Sequence, residues 1–259
     1  MQVIIAEKPS VAREIAAIVG ATNRKDGFIE GNGYAVTWAF GHLVGLAMPQ
    51  QYGIAGFRRE NLPILPSSFI LLPRQVREGK EYKADPGVVK QLGILRELFG
   101  MAERIIVATD AGREGELIFR LVYEMAGCRK PILRLWISSM EDSAIREGFS
   151  DLRLGADYEA LYQSALCRQK ADWLVGINAT RLFSVLYHRT LNVGRVQTPT
   201  LAMMADRDAK ITLFHKEKYH LLRLTLDGAK AVSEKFTDPA EAEQAAAMCK
   251  GAAVTCTSV

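Results

Sequence analysis

The chain has 259 residues, 49% hydrophobic and 24% charged, proportions that exclude disordered, collagen-like and coiled-coil proteins. No apolar run approaches the ~18 residues a membrane-spanning helix needs, and the first residues lack the basic, apolar and small-residue regions of a secretory signal, so no membrane contact and a cytoplasmic location are expected. The 33 basic and 29 acidic residues leave a net charge of +4, too weak to identify a nucleic-acid binder, and the four cysteines form no CxxC pair, which argues against a zinc ribbon or a disulfide framework.

In chain order, Val3-Ile4-Ile5-Ala6 predicts a buried strand that ends at Glu7-Lys8-Pro9-Ser10. Val11, Ile15, Ala16 and Val19 then recur at helical spacing up to Gly20. Glu7 and Lys8 therefore fall just past the carboxyl edge of a strand, where open α/β sheets bind ligands. Residues 28–40 predict a hairpin around Gly31-Asn32-Gly33, closed by Phe40-Gly41-His42. The Pro- and Gly-rich residues 50–86 predict an extended connection with little regular structure. A helix follows over 87–100.

Arg104 to Thr109 predicts a second buried strand, Asp110 to Glu116 a polar turn, Leu117 to Ala126 a helix, and Ile132 to Trp136 another strand. Ser139 is the expected cap of the next helix, with Asp142 as its acidic partner. Alternation of this kind implies a parallel sheet with right-handed crossovers. Beyond residue 150 no further strand is expected until Lys218 to Leu226. Helices are predicted over 156–190, 197–210 and 238–249, and Thr255 to Val259 reads as part of a strand.

Glu7 and the Asp110/Glu114/Glu116 group lie past two different strands. Were these strands neighbours, the carboxylates would converge at one edge and, with a phosphate, suit Mg²⁺. Lys8 would supply a fixed positive charge for a phosphate oxygen. The plainer reading, acids favouring the first turn of a helix, explains Asp110 and Glu114 equally well. No GxxxxGK[ST] motif is present, so no ATP site is expected.

Glu7-Lys8-Pro9-Ser10, Phe40-Gly41-His42, Ala108 to Glu116 (Ala-Thr-Asp-Ala-Gly-Arg-Glu-Gly-Glu) and Gly194 to Leu201 (Gly-Arg-Val-Gln-Thr-Pro-Thr-Leu) occur in this order. Together they resemble the N-terminal part of the type IA DNA topoisomerases, on the bacterial topoisomerase III side of that family, over at least Met1 to Leu226. The resemblance implies an α/β Toprim-type parallel sheet flanked by helices (1–150), a mostly helical single-stranded-DNA groove domain (151–214) and the start of a β-containing arch domain (215–259).

It also implies site residues. Glu7 would be the acid beside the leaving 3′ oxygen, and Lys8 the contact to the scissile phosphate. His42 and Arg113 would stand close by, and Asp110 and Glu114, with Glu7, would hold Mg²⁺. Gly112 stands where the family pattern Asp-x-Asp-x-Glu has its second Asp, so weaker metal binding is expected. Arg168, Asp172, Arg195 and Gln197 match positions along the single-strand groove. Arginines can pair with phosphates and a glutamine can reach a sugar or base edge. Tyr162 and Trp173 are candidate stacking platforms, with Trp173 the more expected in the core.

The family's nucleophile is a tyrosine in a Tyr-x-Arg-Thr-Asp context. This sequence contains only Tyr187-His188-Arg189-Thr190-Leu191, which is read as structural, so no nucleophile is assigned. The expected function is the N-terminal part of an ATP-independent topoisomerase. It would bind single-stranded DNA and work with the remaining C-terminal domains, without cleaving DNA alone. The alternatives are a catalytically inactive DNA-binding module and another Toprim enzyme, a primase or a nuclease.

Overall fold

The computed structural model describes residues 1–79, 81–226 and 228–253, apart from the side chains of Glu81 and Leu226. Along the chain run β1 (Gln2–Ala6), α1 (Pro9–Val19), β2 (Asn23–Lys25), β3 (Phe28–Gly31), β4 (Tyr34–Trp38), β5 (Val44–Leu46), β6 (Leu71–Pro73), β7 (Gln75–Glu78), β8 (Glu81–Ala84), α2 (Pro86–Met101), β9 (Arg104–Ala108), α3 (Arg113–Met125), β10 (Ile132–Arg134), α4 (Asp142–Ser150), β11 (Arg153–Leu154), α5 (Glu159–Leu186), α6 (Gln197–Thr212), β12 (Arg223–Leu226), β13 (Ala229–Val232) and α7 (Pro239–Cys249). Two compact units divide this chain, Met1–Thr198 and Pro199–Val259.

The first unit is built on a seven-stranded sheet in the order β11-β10-β9-β1-β4-β3-β2. The four inner strands β10, β9, β1 and β4 are parallel, and the outer pairings are antiparallel. This is the expected α/β fold with a parallel-centred sheet. Period-two alternation explains why it has two covered faces. Val3, Ile5, Ala35, Ile105 and Val107 pack with α2, α3 and α5, whereas Ile4, Ala6, Val36, Ile106 and Ala108 pack with α1 and α4. Each fully buried Ile or Val contributes roughly 1.5–3 kcal/mol relative to exposure.

Gly20 ends α1 at φ +78°, a left-handed conformation that favours glycine, and its amide closes the last turn onto Ala16 O and Ala17 O. Asp85 starts α2, its Oδ1 accepting from the amides of Gly87 (2.9 Å) and Val88 (3.4 Å).

Three expectations are corrected. Residues 50–86 are not a plain extended connection. Short 3-10 turns at Pro49–Tyr52 and Arg59–Asn61 are followed by β6, which pairs with β5, and by the β7–β8 hairpin. Long-range bonds fix this segment on α5: Asn178 accepts from Ile64 N (2.6 Å) and donates to Ile64 O (3.0 Å), and Arg181 donates to Gly56 O (2.8 Å). Ser139 does not cap α4. Its hydroxyl accepts from Glu141 N (3.2 Å) one turn earlier, and Glu141 is the cap residue without a side-chain bond. A short strand beyond residue 150, β11, extends the sheet by pairing with β10.

In the second unit β12 pairs with β13 as an antiparallel hairpin in the register Arg223↔Val232, and a bridge joins His220 to Phe236. Asp238 caps α7 by accepting from Ala240 N (2.9 Å). The expected strand over Thr255 to Val259 lies outside the described residues.

Candidate functional site

β1 stands between β9 and β4, with Ala6 level with both Ala108 and Trp38. The loops leaving these three parallel strands therefore emerge at one edge. They carry Glu7 and Lys8, Asp110, and His42. The helices after β1 and β9 cover opposite faces of the sheet, so the connections diverge and open a crevice at the edge, as at the topological switch point of other α/β sheets.

In that crevice Glu7 Oε2 accepts from Asp110 N (3.3 Å), and Lys8 Nζ lies 3.8 Å from Asp110 Oδ2. His42 Nε2 lies 3.7 Å from Glu114 Oε2, and Arg168 Nη1 is 3.7 Å from Glu114 Oε1. These side chains are about half exposed, where ion pairs contribute only about 0–1 kcal/mol. A phosphate entering the crevice can therefore take the cations at little cost.

The chain of charge continues onto α5. Asp172 Oδ2 lies 3.8 Å from Arg168 Nε, and Asp172 Oδ1 accepts from Arg195 Nε at 2.7 Å. A cavity of about 280 Å³ opens between His42, Glu114, Leu117, Arg168, Gln169 and Asp172. Of the sequence-predicted residues, the fold thus gathers Glu7, Lys8 and Asp110 into one line of charge and His42, Glu114, Arg168, Asp172 and Arg195 into another. Arg113 is exposed at the start of α3, and Gln197 is exposed at the start of α6.

Beneath the first line lies a buried support that the sequence reading passed over. Arg134 is fully buried. Its guanidinium donates to Val107 O (2.8 Å), Leu135 O (3.0 Å) and Asp110 O (2.8 Å). Arg134 Nε lies 3.3 Å from Glu116 Oε2, and Glu116 Oε1 accepts from Arg120 Nε (2.8 Å). Glu116 is thus turned into the protein, away from the crevice. Burial holds the Arg134 guanidinium below its usual pKa, opposed mainly by the Glu116 charge. One signal was available: a lone arginine inside the apolar run Ile132 to Trp136, together with the i,i+4 pair Glu116/Arg120.

Arg74 plays a similar part for His42. It donates to Phe40 O (3.5 Å) and His42 O (3.4 Å), and its other terminal nitrogen binds Asp85 Oδ2 (2.9 Å). The His42 loop is thereby tied to the first turn of α2.

The two aromatic candidates on α5 are not open platforms. Tyr162 is buried, its hydroxyl directed at Glu124 Oε2 (3.4 Å), and burial reinforced by Glu124 pushes its pKa up to about 12. Trp173 donates to Ala47 O (3.0 Å) and packs edge-on against Tyr52 and Phe69. Tyr187 is an exposed cap at the end of α5, stacked with Phe183. Among the described residues no three His, Cys, Asp or Glu side chains converge as a ready-made metal cage, and no helix is long and apolar enough to cross a membrane.

Residues 2–140 match the Toprim domain and residues 156–259 match a DNA topoisomerase domain. DNA topoisomerase 3 of Bacillus subtilis (strain 168) is 46% identical over 228 residues, which is 87% of this chain and 30% of the relative. DNA topoisomerase 3 of Staphylococcus aureus (strain MRSA252) is 43% identical over 227 residues, 87% of this chain and 31% of the relative. Full-length topoisomerase I from Thermotoga maritima superposes with a TM-score of 0.58 at 26% identity, covering 94% of this chain and 37% of that one. The chain spans about 30% of the length of these topoisomerase 3 relatives.

Proposed function

This chain belongs to the type IA DNA topoisomerases, and we propose that its sheet edge is the phosphate-handling half of their strand-cleaving site, with α5 and the Gly194-Arg195 segment as the adjoining single-stranded-DNA groove. The observation that carries this reading is a pair of charge chains, Lys8–Asp110–Glu7 at the sheet edge and His42–Glu114–Arg168–Asp172–Arg195 leading onto α5. The second runs from the His42 loop and the start of α3 onto the long helix α5. The domain division at residues 150 and 214 is part of the same proposal.

In the whole enzyme a tyrosine hydroxyl attacks the phosphodiester. The tyrosine oxygen–phosphorus bond forms and the phosphorus–3′ oxygen bond breaks, so the 5′ phosphate stays on the tyrosine while another strand passes. Return of the 3′ oxygen restores the DNA, and because the ester is conserved no ATP is consumed. The sequence holds no Tyr-x-Arg-Thr-Asp stretch, so this chain alone is proposed to bind single-stranded DNA without cutting it. Glu7 would carry the proton exchanged with the leaving 3′ oxygen. Lys8 would neutralise a non-bridging phosphate oxygen, and His42 and Arg113 would flank the same phosphate. Arg168, Asp172, Arg195 and Gln197 would hold the strand on its way out.

The oxygen donors Glu7, Asp110 and Glu114 fit Mg²⁺, which binds through one or two carboxylates plus a phosphate and otherwise keeps its waters. When bound it would offset the charge of the phosphate. We propose Asp110 and Glu114, with Glu7, as its protein contacts.

Fluorescence anisotropy with a labelled single-stranded oligonucleotide across a salt series tests the groove. We expect salt-dependent binding, weakened in Arg195→Ala and with a log–log salt slope lower by about one phosphate contact. Equal binding by both proteins removes Arg195 from the groove, and no binding by either removes single-stranded DNA as the ligand of this chain.

A further inference from the structure

A second and larger cavity, about 1070 Å³, continues from His42 and Asp172 along α5 to the segment 48–82. Its wall on that side carries three apolar side chains open to solvent: Met48 (45% exposed), Phe57 (46%) and Tyr82 (64%). The opposite wall is α5, through Trp173, Ile177, Thr180 and Arg181. Phe57 and Tyr82 thus each leave about half or more of their surface in solvent, on the wall of one cavity.

Arg181 adds an independent observation. It is 3% exposed, yet among the described residues no carboxylate pairs with it. It donates to Gly56 O (2.8 Å), and its guanidinium lies 5.1 Å from the centre of the Phe57 ring. A guanidinium has five N–H donors, and a buried cation without a counter-charge is costly. Burial accordingly lowers its pKa. Arg181 lines the cavity, so its positive charge favours an acceptor-rich or anionic occupant there, and the flat ring against the guanidinium favours a flat one. A nucleotide meets both demands, because a base stacks on an aromatic face while its carbonyls or its phosphate accept from arginine.

We propose that Phe57, backed by Arg181 and assisted by Tyr82, is a nucleobase-stacking subsite for a single strand that leaves the Glu7–Asp110 crevice along α5. This rests on the groove reading above and deepens it. The stacking platform comes from the 48–82 segment of the sheet domain and not from the buried Tyr162; Trp173 lines the same cavity but its ring is held edge-on by Tyr52 and Phe69. The subsite reads bases through stacking, so it tolerates sequence but requires that bases be present.

The test uses the 259-residue chain and two labelled strands of equal length, oligo-dT and an abasic strand with the same phosphates. The wild-type protein should bind oligo-dT about tenfold or more tighter than the abasic strand, the scale of one or two stacked bases. Phe57→Leu should lower affinity for oligo-dT about fivefold or more and leave abasic binding unchanged, and Phe57→Trp should restore the preference. Tyr82→Leu, on the separate β7–β8 hairpin, should act in the same direction. The same oligo-dT to abasic ratio in Phe57→Leu as in wild type overturns the subsite while leaving the groove in place. Failure of the wild-type protein to bind either strand overturns the groove and the subsite together.

Discussion

Gly115, in the first turn of α3, lies so close to Asp110 that a Cβ at position 115 would sit 2.2 Å from the Asp110 carbonyl oxygen. The Thr109 hydroxyl donates to Gly115 O at 2.8 Å, fastening strand end and helix start together. The position of Asp110 therefore depends on a missing side chain. Gly115→Ala should displace the loop and cost about 1–3 kcal/mol in urea denaturation, as overpacking does. Gly112→Ala is the control. Gly112 is extended, at φ 177°, with no atom near its Cβ, so that variant should stay within about 0.5 kcal/mol of wild type. Equal losses at the two positions would mean that close approach to Asp110 is not what selects glycine.

The open space at Gly112 bears on metal binding. A side chain there would stand between Asp110 and Glu114 in sequence, and its Cβ would meet no other atom. Gly112→Asp should bind Mg²⁺ more tightly in isothermal titration, because affinity for hard cations rises with the number of charged oxygen ligands. Indistinguishable affinities would mean that position 112 contributes no ligand in this protein.

Glu116 and Arg134 form a buried ion pair at 3.3 Å, each 1% exposed at its side chain. Truncating one member strands the other, which typically costs about 3–5 kcal/mol. Glu116→Ala should show a loss of that size in chemical denaturation. A loss below about 1 kcal/mol would show that water and the carbonyls of Val107, Leu135 and Asp110 suffice to hold the Arg134 charge.

Asp85 gives a pH dependence with a fixed sign. The hydrogen bond from Arg74, helped by the Gly87 and Val88 amides, holds its carboxyl below the ordinary carboxylate range. A lowered folded-state value favours the fold above the unfolded value of about 3.9. That advantage disappears as pH falls through the lower, folded value. The Tm difference between wild type and Asp85→Asn should be full at pH 7 and shrink below about pH 4. A difference independent of pH would assign the effect of Asp85 to hydrogen bonding alone.

Much of this was legible in the chain. Val3 to Ala6 and Arg104 to Thr109 announce themselves as buried strands by their β-branched runs, and the polar turns after them mark Glu7 and Asp110. Helix α2 follows from the spacing of Val89, Leu92, Leu95 and Leu98 before Gly100, and α7 from an Ala/Glu-rich run. The segment 50–86 was misread for a physical reason. Its strands are short, and its order comes from bonds to α5 more than 100 residues away, such as Ile64 with Asn178. Local pattern carries no record of such partners. Ser139 misled because a serine two residues from an acid can close a turn as well as begin a helix.

By itself the sequence determined the strand–turn–helix units, the residue types at their ends and, through four ordered motifs, the family to which the chain belongs. Only the tertiary structure decided which strands are neighbours, and so which ends meet. Insertion of β1 between β9 and β4 sets Glu7 against Asp110, more than 100 residues apart in the chain. The same packing turned Glu116 inward to Arg134 while leaving Glu114 to His42 and Arg168. It also engaged Tyr162 and Trp173 in packing and left Phe57 and Tyr82 open to solvent. Burial is a property of packed surfaces, and residues of the same type acquire different roles only when those surfaces close.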